Sequence, residues 1–196
     1  MKPIFMSIAF ALAVLANEPT LAHTAIYEAI LNGPSESPAN ASSGTGTALV
    51  TFDLDLATMR VQVDFTGLGG TVTASHIHCC TALPGVSTIG VATVTPTFTG
   101  FPSGVTAGSY DHTFDLALAG SYNAAFITAN GGTVSGAMNA LLFGAQDGKA
   151  YLNIHTTTFG GGEIRGFLQA VPIPPAIWLL GSALLGLVAF KRRGTV

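Results

Sequence analysis

The chain has 196 residues, 48% of them hydrophobic and only 9% charged, against roughly 25% charged in an ordinary soluble domain. Seven basic and ten acidic residues leave a net charge of −3. No basic field exists to hold nucleic acid, since the one cationic cluster, Lys191-Arg192-Arg193, stands at the extreme C-terminus. The N-terminus reads MKPIFMSIAFALAVLA: one cation, Lys2, then an apolar stretch from Ile4 to Ala16. These are the n-region and h-region of a secretory signal peptide, too short for a comfortable membrane span. Small residues at Thr20 and Ala22 place the cut after Ala22, with Ala16 as the alternative, so 1–22 is read as the signal peptide. His23 then begins the mature chain. Its free amine and imidazole can chelate copper, although a chain end of this kind is expected to be mobile.

Residues 23–170 are the right size for one domain with an adequate core. Period-two alternation dominates. Ala48, Val50, Phe52 and Leu54 alternate with Leu49, Thr51 and Asp53, and Met59, Val61, Val63 and Phe65 alternate with Arg60, Gln62 and Asp64. Asp55-Leu56-Ala57-Thr58 between them reads as a hairpin loop. Further strands are expected at 25–31, 72–78, 89–94, 110–118, 149–155 and 163–169, separated by glycine-rich punctuation at 67–70, 100–108 and 160–162. Ala124 to Phe143 is the one candidate for helix, split by Gly131-Gly132 into two short, loop-borne pieces. Many short strands with Gly/Pro turns give an all-β domain, an antiparallel sandwich or barrel.

The chemistry-bearing residues gather in two places. Residues two apart in a strand share a face, so His76 and His78 in Ser75-His-Ile-His78 can present two imidazoles to one ion. A weak echo, Leu152-Asn-Ile-His155, puts His155 in a similar context, and it supplies a third ligand if the two strands meet. Neutral imidazole suits copper and zinc; the competing reading leaves these histidines hydrogen-bonded in loops or half-buried faces. His112 and His23 are spare candidates. Cys79 and Cys80, the only cysteines, follow directly. In an oxidising compartment they close a vicinal disulfide, join His76 and His78 in a soft-metal site, or pair between molecules. Glu163 and Arg165, at alternate positions, are read as pairing with each other or pinning a loop. Asp53, Asp55, Asp111 and Asp115 lack calcium-loop spacing. Asn40-Ala41-Ser42 fits the glycosylation pattern. No carboxylate dyad, Gly-x-Ser-x-Gly elbow or phosphate loop is present, so no catalytic residue is assigned.

After Gln169 comes VPIPPAIWLLGSALLGLVAFKRRGTV. Pro172, Pro174 and Pro175 make a stiff linker. From Ile173 to Phe190 about 18 uncharged residues reach the lower limit for a membrane crossing. Trp178 suits the interface, and Lys191, Arg192 and Arg193 should stay cytoplasmic. The order Val171-Pro172-Ile173-Pro174, apolar helix, basic cluster resembles the PEP-CTERM class of bacterial sorting signals in its VPxP form, with Ile173 where the named form has Glu. That resemblance implies a Gram-negative host and processing by an exosortase-type transpeptidase.

A second resemblance covers nearly all of the middle. LNGPSESPA (31–39), GTGTALVTFD (44–53), FTGLGG (65–70), ASHIH (74–78), YLNIHT (151–156) and GGEIRGFL (161–168) resemble the CHRD domain, named after chordin. The family implies a β-sandwich with a suggested likeness to copper–zinc superoxide dismutase, and it accompanies PEP-CTERM signals in bacteria. The expected architecture is a signal peptide (1–22), an all-β antiparallel Greek-key-like β-sandwich (23–170), and a linker, transmembrane helix and basic tail (171–196). The expected protein is exported through the inner membrane, then tethered facing the periplasm through 173–190 or released to the cell surface after processing. There it acts without catalysis, binding an exopolysaccharide or surface protein. The alternative is a copper or zinc binder using His76, His78 and His155; a dismutase-type oxidoreductase would need more ligands than these three.

Overall fold

The computed structural model describes residues 23–172. The signal peptide, Pro174, the apolar segment 173–190 and Lys191, Arg192 and Arg193 lie outside the described residues. Among those described, no helix is long and apolar enough to cross a membrane.

The clearest alternation in the sequence becomes the clearest structure. Strands β1 (Thr24–Asn32), β2 (Thr45–Asp53) and β3 (Thr58–Thr66) form an antiparallel meander in which Tyr27 faces Val50, Val50 faces Val61 and Phe52 faces Met59. Same-face partners meet directly, so one face becomes continuous apolar core and the other carries Thr, Gln, Asp and Arg into water. Asp53 closes the β2–β3 turn by accepting from the Asp55 and Leu56 amides. β5 (Gly108–Asp115) extends this arm by pairing with β3, adding Tyr110 and Phe114 to the core.

The second arm is built from β4 (Val72–His78), β6 (Tyr151–Thr156) and β7 (Ile164–Phe167), joined to β1; β8 (Gln169–Ala170) also pairs with β1. All strands hydrogen-bond into one antiparallel, curled sheet in the order β4-β6-β7-β1-β2-β3-β5. Ile77, Leu152, Ile154 and Ile164 point into the shared core. Val171 continues the β1 pairing by donating its backbone N–H to the Ile26 carbonyl, so part of the proline linker is docked on the domain.

Several expected elements differ. Segment 89–94 is not a strand: only isolated bridges, His78 with Val91 and Thr93 with Tyr122, occur there. The stretch instead runs irregularly along the edge of β4. Pro96 and Pro102 cannot donate to a ladder, and hydroxyls take over, with the Ser75 and Ile77 amides donating to the Thr97 and Thr93 side chains at 2.9 and 3.0 Å. The expected 110–118 strand stops at Asp115, and 163–169 is divided between β7 and β8. The helical stretch is split where expected, at Gly131 and Gly132 with φ of +89° and +69°. Its second piece is not a short loop-borne turn: α1 (Ala124–Ala129) is followed by α2 (Val134–Gln146), thirteen residues long, with Ala137 and Leu141 fully buried in the main core.

Candidate metal centre

β4 and β6 pair antiparallel, with Ala74 opposite His155, His76 opposite Asn153 and His78 opposite Tyr151. These six side chains therefore share the face directed away from the apolar core. An outward face of an antiparallel sheet ordinarily meets water, yet His76 and His78 are 7% and 8% exposed, and His155 is half-buried. Loops cover the face: Ile89 and Pro96 lie over β4, and Gly160 lies beside β6.

Each imidazole is held in the same way. His76 Nε2 bonds the Pro96 carbonyl at 2.5 Å, His78 Nδ1 the Ile89 carbonyl at 2.8 Å, and His155 Nδ1 the Gly160 carbonyl at 3.0 Å. A carbonyl only accepts, so the proton sits on the bonded nitrogen and the other nitrogen keeps its lone pair. Those remaining nitrogens, His76 Nδ1, His78 Nε2 and His155 Nε2, are buried and without a partner. The rings form a triangle with centroid separations of 5.2, 5.7 and 5.7 Å. One ring nitrogen from each lies within 4.8 Å of the others. An ion with bonds of about 2.0–2.1 Å spaces tetrahedral nitrogens about 3.4 Å apart, so closure needs side-chain movement on the order of 1 Å. Backbone carbonyls that fix tautomer and ring orientation are the usual outer support of ligating histidines.

Protonation favours the same use. Burial lowers the basicity of all three rings, against the opposing pull of their carbonyl partners. His78 is depressed to about 4, with the neighbouring rings and Arg165 adding to the effect of burial. At neutral pH all three are neutral, the form a metal requires. His78 also stacks flat on Tyr151 at 4.8 Å, and Arg165 lies 4.7 Å over the same ring.

The other sequence candidates do not join this group. Cys79 and Cys80 form a disulfide with each other. Their sulfurs face the Ala140 carbonyl and the Gly144 α-carbon of α2, away from the histidine face. They are thus not co-ligands of His76 and His78. His112 is held between Tyr110 and Phe114 on β5, and the exposed His23 bonds Asp55. Asp111 pairs bidentately with Arg60 across β3 and β5. The histidine trio is the one group of three or more such ligands among the described residues.

Glu163 and Arg165 each pin loops but do not pair with each other. Glu163, fully buried, accepts from the Ser42 and Thr156 hydroxyls and the Gly69 and Gly70 amides. Arg165 donates to the Ser35 and Ser87 carbonyls and lies 3.8 Å from Glu36. Asn40 is occupied in structure, donating to the Gly162 and Glu163 carbonyls. Sequence reasoning missed Glu36 and Asn153, whose Oε1 and Oδ1 are buried without partners. Burial raises the Glu36 carboxyl to about 7, against the lowering effect of Arg165. The only signals for either residue were membership of the 31–39 motif and the alternation that puts Asn153 on the face of His155.

Fold and site together define an all-β module with a buried three-imidazole cluster on one covered sheet face. The family model for the CHRD domain matches residues 27–168, well over half of the chain, and the protein belongs to that family. No curated protein and no solved structure matches the chain.

Proposed function

We propose that this CHRD domain is an exported, non-catalytic binding module that holds one copper or zinc ion through His76, His78 and His155. One observation carries the reading: the three imidazoles are each tied by one nitrogen to a backbone carbonyl, while their other nitrogens are buried and unpartnered. The module reaches the outside of the inner membrane behind the 1–22 signal peptide. It stays tethered by 173–190, or is released at the cell surface by an exosortase-type enzyme acting near Val171, Pro172 and Pro174. Mass spectrometry of the mature chain tests that processing.

The metal is tested on the full-length chain, purified in mild detergent, loaded with copper or zinc and washed. About one equivalent should remain, and His76→Ala/His78→Ala should abolish it. A wild-type content far below stoichiometric ends the proposal.

A second reading, binding of an exopolysaccharide or surface protein, draws on another face. Thr45, Thr47, Asp64, Thr66 and Ser109 line an open cleft of about 500 Å³ beside the exposed Ile30. Its threonine and serine hydroxyls can bond a glycan while Ile30 and Phe65 supply apolar contact, and binding to purified exopolysaccharide, lost in Thr47→Arg, checks it.

A further inference from the structure

We infer that the metal held by His76, His78 and His155 keeps one coordination position open, and that this position takes a small anion from solution, of the carboxylate class, entering beside Gly160 and Gly161. The inference rests on the metal reading above and extends it to the ligand that the metal would capture.

Three observations converge. First, the ligand group among the described residues has three members, whereas copper(II) and zinc take at least four donors. A closed structural zinc site has four protein ligands, and a three-histidine site leaves the fourth place to water or an external donor.

Second, the ligand group among the described residues supplies no negative charge to balance the ion. All three ligands are neutral imidazoles. The cation Arg165 shares their face, as its pairing opposite Asn153 requires. The carboxylate nearest Arg165, Glu36, is engaged with it at 3.8 Å and is absent from the ligand group. Three neutral imidazoles leave a divalent ion its full charge, and an anionic fourth donor is favoured over a neutral one.

Third, one side is open. His155 is the least buried of the three. It is tethered to Gly160, and side chains placed at Gly160 or Gly161 would begin with no atom within 4 Å. Gly90, next to the carbonyl that holds His78, has the same open surroundings. A cleft of about 220 Å³, lined by Pro38, Asn40, Phe159 and Gly161 and by Glu36, which Arg165 faces at 3.8 Å, adjoins this loop and is large enough for a small carboxylate.

The test uses the full-length chain loaded with copper(II) and titrated with azide, followed by electronic absorption and electron paramagnetic resonance. Azide should produce a saturable one-to-one ligand-to-metal band, and acetate should displace it. Gly161→Val should keep its copper and its melting temperature but weaken azide binding by at least about tenfold, roughly 1.4 kcal/mol. If copper is bound stoichiometrically and azide leaves its spectrum unchanged, the open position is refuted while the metal reading stands. If no copper is retained, both fall. Undiminished azide binding in Gly161→Val overturns the glycine route.

Discussion

Replacing Glu163 by Gln tests the structural logic of the domain most directly. Each carboxylate oxygen receives one hydroxyl and one backbone amide: Oε1 takes Ser42 Oγ at 2.6 Å and Gly69 N at 2.5 Å, and Oε2 takes Thr156 Oγ1 at 2.6 Å and Gly70 N at 3.1 Å. A glutamine turns one oxygen into an NH2 group. The hydroxyl on that side can rotate and accept, but the amide cannot, and it stays unsatisfied at about 1–3 kcal/mol. The remaining bonds lose their charge assistance, roughly 1 kcal/mol each, partly offset by the easier burial of a neutral side chain. A net loss of about 2–4 kcal/mol follows, or roughly 5–15 °C in melting temperature for a domain of this size. Thermal and urea unfolding followed by circular dichroism measures it. There is also a pH signature. Burial alone would raise the Glu163 carboxyl, yet the four donors together hold it below the ordinary value. Its contribution is full above the unfolded carboxylate range and is lost as pH falls through the folded value. The gap between wild type and Glu163→Gln must therefore narrow in acid. A variant within about 0.5 kcal/mol of wild type at pH 7, the size of an ordinary surface substitution, would refute the clamp.

Other substitutions probe the supports of the site. Thr93→Val leaves the buried Ile77 amide without its 3.0 Å acceptor and should cost about 1–3 kcal/mol, read by urea denaturation, while weakening metal binding by displacing β4. Gly144→Ala would raise helix propensity by up to about 1 kcal/mol in isolation, but its Cβ would collide with both sulfurs of the Cys79–Cys80 disulfide. Net destabilisation is expected, and a more stable variant would contradict the seating of the disulfide on α2. In the metal-free chain, burial depresses His76, His78 and His155, so the unfolded state binds their protons first. Stability is then full above the unfolded histidine value of about 6.5, declines as pH falls, and levels off below the folded values, near 4 for His78. Urea midpoints at pH 7, 6 and 5 should show this slope, flatter in His78→Phe; a pH-independent midpoint across that range would oppose it.

How much of this was legible in the sequence depended on whether a strand has one wet face. Alternation announced β2 and β3 because water bathes their outer sides, and polar residues were free to mark them. β4 and β6 gave weaker patterns because loops close over their second face, so His76, His78, Asn153 and Tyr151 are polar and buried at once. That covering depends on contacts between segments far apart in the chain, such as Arg165 with Ser35 and Ser87, which no local period encodes. The His-x-His spacing and the echo at 152–155 did identify the residues that meet. The antiparallel register then places His155 opposite Ala74, reaching back along the strand to the other two rings. Segment 89–94 misled because its Val/Thr content suits a strand, whereas Thr93, with Thr97 just beyond it, serves as a side-chain acceptor along an edge. Gly131 and Gly132 marked the break between α1 and α2, but no local signal showed α2 running on to Gln146, where Gly144 leaves room for the sulfurs.

The contrast between the two buried polar centres sharpens the reading of the histidines. Around Glu163 every carboxylate lone pair aimed inward finds a donor, so this fold is capable of satisfying a buried charge completely. Around the covered face, five buried atoms have no partner among the described residues: Glu36 Oε1, His76 Nδ1, His78 Nε2, Asn153 Oδ1 and His155 Nε2. Each such atom costs on the order of 1–3 kcal/mol, a heavy charge on a domain whose whole stability is about 5–15 kcal/mol. An apolar residue at any of the three histidine positions would relieve part of it. The cost makes physical sense if the folded state gains it back from something that binds the lone pairs, and mass action then stabilises the loaded form by RT ln(1 + [L]/Kd). The melting temperature of the wild type should therefore rise with copper or zinc concentration. In His76→Phe/His78→Phe/His155→Phe the metal-free chain should melt no lower than the metal-free wild type and should ignore the metal. A triple variant much less stable than the metal-free wild type would show that the imidazoles are there for their own packing, and the metal would lose its strongest support.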